Sequence, residues 1–271
     1  MSYCKVKLRM PMAMDELLPQ DSKARFALAD NCFEEFLSGF PWRLNVGRTV
    51  NAYAMTRGKN SFMHNLVKPS PVDFEVDHAG CNALDNRWRS LRWATRWQNT
   101  VNRRVSEGAA SAYKGVRPDR ENWESTIALK HLPRHMTNSR GGITCTHQYE
   151  LQSALWYEAV ARQAYGEWHT GSFDDVSDAA LLGAAMAEGV ELVDASDPGE
   201  PPPLGGGRKR IYNTLSPEHW LQRVTEKRRA DKAEMAEREQ AAFNYAKIHG
   251  LPGHPIRERK VTLEELQGGM I

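Results

Sequence analysis

Little cysteine, no internal repeat and no long apolar run mark this sequence, and each lack removes a class of protein. Cys4, Cys32, Cys81 and Cys145 are scattered with no C-x-x-C pair, which speaks against a zinc knuckle, a redox pair or a disulfide framework and predicts a reducing, intracellular setting. No segment approaches the roughly 20 apolar residues that a membrane span requires, so no membrane partner is expected. The opening stretch, MSYCKVKLRMPMAMDELL, is positively charged but breaks at Pro11 and Asp15 before an apolar run reaches signal-peptide length, and the expected location is cytoplasmic. Lys and Arg are missing altogether from residues 171 to 200, although the formal net charge of the chain is only +2. The signs are therefore separated along the chain, and local clusters decide where a polyanion docks.

With 271 residues, 41% of them hydrophobic and 26% charged, the chain is long enough for two or three compact units and has the composition of a folded α+β protein. Residues 1–38 read as an N-terminal helical segment: Phe26, Leu28, Phe33, Phe36 and Leu37 recur at helical spacing until Gly39, Phe40 and Pro41 stop them. Residues 39–107 read as a first domain that starts with a small sheet, since the stretches from Trp42 to Met63 are separated by Asn45, Gly47 and the turn Arg57-Gly58-Lys59-Asn60. A second domain follows over 110–170. Residues 171–207 are an acidic, alanine-rich stretch ending in the linker PGEPPPLGGG, and 208–271 carry a long helix and tail. Ser216 can cap that helix with Pro217 in its first position, and Gly250 followed by Pro252 can end it. Its middle, TEKRRADKAEMAEREQ, is almost all charge and predicts a solvated helix.

The informative stretch is VDFEVDHAGCNALDNRWRSLRWATRWQNTVNRR, residues 72–104. Thr95 and Gln98 form a capping box, so a helix should start at Arg96, with Trp97 and Val101 one turn apart on its buried face. At about 100° per residue, Asn99 then lies roughly 160° from Trp97, on the side of Asn102 and Arg103. Arg87, Arg89, Arg92, Arg96, Arg103 and Arg104 fall within eighteen residues, and Asp85 is the only carboxylate between His78 and Arg104, which predicts a basic rim for phosphates.

Val76-Asp77-His78, Leu84-Asp85-Asn86-Arg87, Leu91-Arg92-Trp93-Ala94-Thr95 and Asn99 together resemble the phage HNH homing endonuclease family. The resemblance implies a ββα-metal module that hydrolyses phosphodiester bonds in double-stranded DNA, in the host cell cytoplasm if the chain is phage-encoded. It assigns Asp77 and Asn99 as ligands to Mg²⁺ (or Mn²⁺), for which a carboxylate and a carboxamide oxygen are suitably hard, and His78 as the general base. Where the family commonly has an Asn that orients the catalytic His, this sequence has Ser90, whose shorter reach leaves Asn86 and Asn82 as alternatives. His64, in FMHNLV, matches a family histidine but reads first as a structural one.

SAYKGVRPDRENWESTIALKHL and, after the insertion HLPRHMTNSRGG that interrupts its usual hairpin, GGITCTHQYELQSALWYEAVARQAYGEWH resemble the ethylene-response-factor (APETALA-type) DNA-binding domain. That implies a small three-stranded sheet followed by a helix. The spacing agrees: short strands precede a helix in which Ala154, Tyr157, Ala161 and Ala164 repeat at three or four residues. Lys114, Arg117, Arg120, Trp123 and Lys130 are the candidate contacts to DNA, with Trp123 also readable as core. Two rival readings stand beside the nuclease. One is a catalytically degenerate phage DNA-binding or virion-associated protein, in which Ser90 marks lost chemistry. The other makes residues 208–271 an interaction arm for a homodimer or a phage protein partner.

Overall fold

The computed structural model describes residues 2–10, 22–46, 52–56, 61–106, 108–129, 142–195 and 214–251, and shows an α+β protein built from small antiparallel sheets and helices. The chain forms two compact units, one of residues 1–94 with 237–271 and one of residues 95–236.

In the first unit, β1 (Tyr3–Lys7) pairs antiparallel with β2 (Phe26–Asp30), and a short helix α1 (Glu34–Ser38) follows. This corrects the first half of the expected helix over Phe26 to Leu37, while Asn31–Phe33 and Glu34–Ser38 are helical as expected. Ala27 and Ala29 are both fully buried between less buried neighbours, so the first five residues obey a period of two. The apolar spacing was ambiguous because small alanines, not the large residues, face the core. β3 (Trp42–Val46) and β4 (Ala52–Thr56) form the expected small sheet, although the turns at Gly47 and at 57–60 lie outside the described residues. Helix α2 (Met63–Val67) leads to β5 (Glu75–His78), which pairs with β6 (Leu91–Ala94) in the register Glu75 to Ala94 and His78 to Leu91.

Backbone bonds knit these hairpins together. Leu28 N–H donates to Leu84 O and Asn86 N–H to Leu28 O, both at 2.8 Å, so β2 holds the loop that precedes β6. Arg9 makes the equivalent link to β3 through Trp42 O and its own carbonyl to Leu44. A shared apolar core of Phe33, Leu37, Trp42, Met63, Trp88 and Leu91 fills the space between.

The second unit opens with α3 (Arg96–Val101), which starts where the capping box places it: Thr95 Oγ1 accepts from Gln98 N–H, and the Gln98 side chain accepts from Thr95 N–H at 2.9 Å. A three-stranded sheet follows, β7 (Val116–Asp119), β8 (Asn122–Ala128) and β9 (Gly142–His147), in the order β7-β8-β9. Helix α4 (Glu150–Tyr165) packs on it with almost every side chain buried, polar ones included, rather than on one stripe. Gly115, at φ +74°, has no alternative: a Cβ there would sit 2.0 Å from the Tyr157 ring. Helix α5 (Asp178–Ala187) is capped by Ser177. Of the interruption at 131–142, all but Gly142 lies outside the described residues, as does the linker at 198–207.

The last helix, α6 (Pro217–Ile248), runs from the expected Ser216 cap to a glycine stop. Gly250 takes φ +64°, while Gly250 N–H and Leu251 N–H return to Lys247 O and Ala246 O, the bonds of a Schellman end. Its turns up to Ala236 belong to the second unit and those from Glu237 to the first. The middle, residues 225–240, is mostly exposed as expected, with Asp231 its one buried residue, and the helix is anchored by turns on either side. Trp220, Val224 and Asp231 are buried in the second unit, Ala242 and Ala246 in the first. Trp220 Nε1 donates to Ala159 O at 3.2 Å. Arg228 makes two bonds to Asp178, at 2.6 and 3.0 Å. The stripe reads as charge because its inner face carries ion pairs as well as apolar groups.

In the first unit, Glu239 accepts from both Lys68 Nζ and Trp88 Nε1, and the Lys68 side chain is wholly buried. Glu239 is 40% exposed but Lys68 is not, so removing the carboxylate strands a buried charge, whereas replacing both does not. Glu239→Ala is therefore expected to lower stability by about 3 kcal/mol, and Lys68→Met combined with Glu239→Leu to recover most of it. Denaturant unfolding of the three proteins checks this; equal midpoints for wild type and Glu239→Ala would refute it.

Candidate functional site

His78 is the last residue of β5 and is buried. Adjacent strand positions face opposite ways, so His78 and Asp77 leave the backbone on different sides. The contacts agree. Asp77 Oδ2 accepts from Arg92 Nε at 2.8 Å, across the register pair Asp77 to Arg92. His78 Nε2 instead lies 3.4 Å from Asn86 Oδ1.

Asn86 is almost fully buried, and its Nδ2 donates to Leu84 O at 3.3 Å, which turns its oxygen towards His78. An oxygen can only accept, so the imidazole donates from Nε2 and Nδ1 becomes its basic nitrogen. Ser90 is placed otherwise: its hydroxyl donates to Asp85 Oδ2 at 3.0 Å. Arg87 grips the same carboxylate with Nε at 2.8 Å and Nη2 at 2.6 Å. Of the two alternatives open from sequence, Asn86 is the one whose carboxamide reaches the imidazole.

Aromatic rings complete the surroundings of His78. The His64 ring stands edge-on to it, 5.0 Å between centroids, and stacks on Phe62 at 5.3 Å with planes 7° apart. Tyr53 lies 6.1 Å from His78 and 5.7 Å from His64. Tyr53 and Phe62 carry no signal in the sequence beyond the strand alternation that puts Tyr53 on one face of β4.

Burial sets the electrostatics. It pushes His64 down to about 3, with the neighbouring His78 adding to the effect. Burial also lowers His78, against the hydrogen bond to Asn86 and the charges of Asp77 and Asp85, which favour its protonated form. Burial raises Asp85, but the bonds from Arg87 and Ser90 outweigh it and hold the carboxyl below its usual range. Both imidazoles are thus neutral near pH 7.

The arginines divide into two groups. Arg87 and Arg92 are tied to Asp85 and Asp77, whereas Arg89, Arg96, Arg103 and Arg104 are exposed. Asn99 lies on α3 in the second unit, half-buried, with its N–H on Thr95 O. Lys114 Nζ donates to the carbonyls of Val101 and Thr170, both at 2.6 Å, so this ammonium organises the second unit's own backbone. Arg117 is exposed and pairs with Glu124; Arg120 is exposed at φ +55°; Trp123 is half-buried. Lys130 lies outside the described residues. Among the described residues, no group of three or more His, Cys, Asp or Glu side chains is arranged to hold a metal ion, and no helix is long and apolar enough to cross a membrane.

An imidazole held near 3 in the folded chain and near 6.5 in the unfolded one leaves the unfolded state with more bound protons between those values. Stability is therefore complete above about pH 6.5 and falls on acidification, by about 1.4 kcal/mol per pH unit from His64 alone. The lowered His78 acts in the same sense. His64→Phe is expected to flatten the profile between pH 4 and 6 in chemical denaturation, and an unchanged slope would contradict the burial argument. No family model, no curated protein and no solved structure matches the chain.

Proposed function

We propose that the chain is a DNA endonuclease of the HNH type, hydrolysing phosphodiester bonds in double-stranded DNA. The observation that carries this reading is a neutral, buried His78 at the end of β5, turned by Asn86 and backed by His64. The loop, strand and capped helix that follow it come in the order that the resemblance implies.

Phosphodiester hydrolysis needs a base for the attacking water and positive charge beside the developing and leaving oxygens. His78 Nδ1 is the group that takes the proton. The Asn86 carboxamide cannot rotate without giving up Leu84 O, so the tautomer is held. His64, neutral and ring-packed, adds no competing charge. Asp77 is the hard carboxylate that the resemblance implies as a magnesium ligand, although it leaves β5 on the side away from His78 and is bonded to Arg92. Magnesium, when bound, supplies the positive charge at the phosphodiester. The exposed Arg89, Arg96 and Arg103 are placed to meet backbone phosphates, and the three-stranded sheet, through Arg117 and Arg120, lengthens the footprint.

A second reading, a DNA-binding protein that does not cut, is favoured by one observation. The Asp77 carboxylate is 5% exposed and already committed to Arg92, which a metal would have to displace or share.

A plasmid-nicking assay separates the two. Supercoiled DNA should relax with Mg²⁺ and survive in chelator, and His78→Ala should slow cutting by about 10²- to 10⁴-fold while DNA retention persists. Cutting at the wild-type rate by His78→Ala removes His78 as the base, and retention without any cutting by the wild type selects the second reading.

A further inference from the structure

The second unit contains a thiol and imidazole pair that the nuclease reading does not use. Ile143, Cys145 and His147 alternate along β9 on the face turned to α4, as the burial of Ile143 and the contact of His147 with Ser153 show. Cys145 Sγ lies 3.7 Å from His147 Nε2. The other ring nitrogen, Nδ1, is 3.1 Å from Ser153 Oγ. Ser153 Oγ is in turn 2.8 Å from Trp123 O.

Proton counting fixes the direction of this chain. A hydroxyl has one hydrogen, and two oxygens 2.8 Å apart attract only if one of them donates. A carbonyl cannot, so Ser153 gives its proton to Trp123 O. Ser153 Oγ must then accept from His147, which places the imidazole hydrogen on Nδ1. His147 Nε2 is left as a bare lone pair facing Cys145 Sγ. A thiol whose proton has a built acceptor, itself oriented by a third group, has the arrangement of an activated nucleophile.

A second observation lies across the sheet. Ser125 is the register partner of Cys145 and shares its face. It is fully buried, and its hydroxyl has no hydrogen-bond partner. Directly opposed strand residues have Cβ atoms about 5 Å apart, within reach of an oxygen carried on the cysteine sulfur. A buried donor with nothing to donate to is costly, and an S–O group on Cys145 would satisfy it.

We propose that Cys145 is a peroxide-reactive thiol, with His147 as its base and Ser125 as the donor that stabilises its oxidised form. The thiol proton passes to His147 Nε2, and the thiolate attacks one oxygen of a hydroperoxide. The S–O bond forms as the O–O bond breaks. The leaving hydroxide or alkoxide takes the proton back from His147 as water or alcohol. Sulfur is oxidised by two electrons to the sulfenic acid, and the peroxide is reduced. Burial lowers His147, so the imidazole is neutral and ready to accept at neutral pH. Cys4 is buried, while Cys32 and Cys81 are half-buried like Cys145, so exposure alone does not single it out.

The test uses the full reduced chain with hydrogen peroxide and dimedone, and reads the adduct at each cysteine by peptide mass spectrometry. Cys145 should be trapped first. His147→Ala should slow both its trapping and its alkylation by iodoacetamide by about tenfold or more, the low side of what a positioned base contributes. Ser125→Ala should shorten the life of the sulfenic acid and leave the iodoacetamide rate unchanged, which a purely structural serine would not do. If His147→Ala loses its melting transition, His147→Gln is used, and the wild-type ranking decides in any case. The proposal fails if Cys32 or Cys81 reacts as fast as Cys145, or if folded His147 variants react like the wild type.

Discussion

The first unit is organised around an ammonium group that water does not reach. Lys68 Nζ donates to Leu91 O at 2.8 Å and to Trp88 O at 3.4 Å, sits 4.6 Å above the Trp88 ring, and meets Glu239. Burial lowers its pKa and the Glu239 charge opposes that shift, so the group depends on residue 239 to remain an ion. Two carbonyls of the segment entering β6 are thereby fixed in place. Because β6 pairs with β5, the same ammonium sets where Asp77 and His78 end up. A buried charge is a costly anchor, but it is directional, which an apolar contact is not.

The loop between β5 and β6 is held from several sides in the same directional way. Asp30 Oδ2 accepts from Trp88 N–H at 2.7 Å, Leu28 brackets Asn86 through its backbone, and Arg87 with Ser90 closes on Asp85. These bonds leave Asn86 one place for its carboxamide, and that place faces His78. The orientation of the imidazole is thus a consequence of how the loop is tied to β2, to which Trp88 is bonded across 58 residues of chain. The second unit follows a related rule: Arg162, buried, bonds to Glu158, Asp178 and the carbonyls of Phe173 and Val176, drawing a helix and the following turn together.

Local order was legible where neighbours in sequence are also neighbours in space. Thr95 with Gln98, Ser216 with Pro217, and Gly250 announce helix ends because a cap is satisfied within three or four residues. The β3 and β4 pair, and two or three short strands before α4, are readable from alternation and turns, while the count of three is what the resemblance implies. Phe26 to Asp30 is a strand where spacing suggests helix, since buried alanines carry no more signal than exposed ones, while the helix expected after it is present. The exposed middle of the long helix is legible as a run of charge, but its anchoring pairs are not: Glu239 and Arg228 look solvated in a list of letters, and their partners Lys68, Trp88 and Asp178 come from distant parts of the chain.

By itself the sequence determined the α+β character and the ends of several helices, because these rest on short-range patterns of polarity, capping and turn preference. Only the tertiary structure decided that Asn86 rather than Ser90 turns His78, that Asp77 is joined to Arg92, that Lys114 holds backbone carbonyls, and that Cys145 meets a histidine with its lone pair exposed to it. Each of those outcomes depends on which donors and acceptors remain once the strands have paired and water has left. Hydrogen-bond partners in a buried site are assigned by elimination among groups distant in the chain, and no local pattern of residues encodes that.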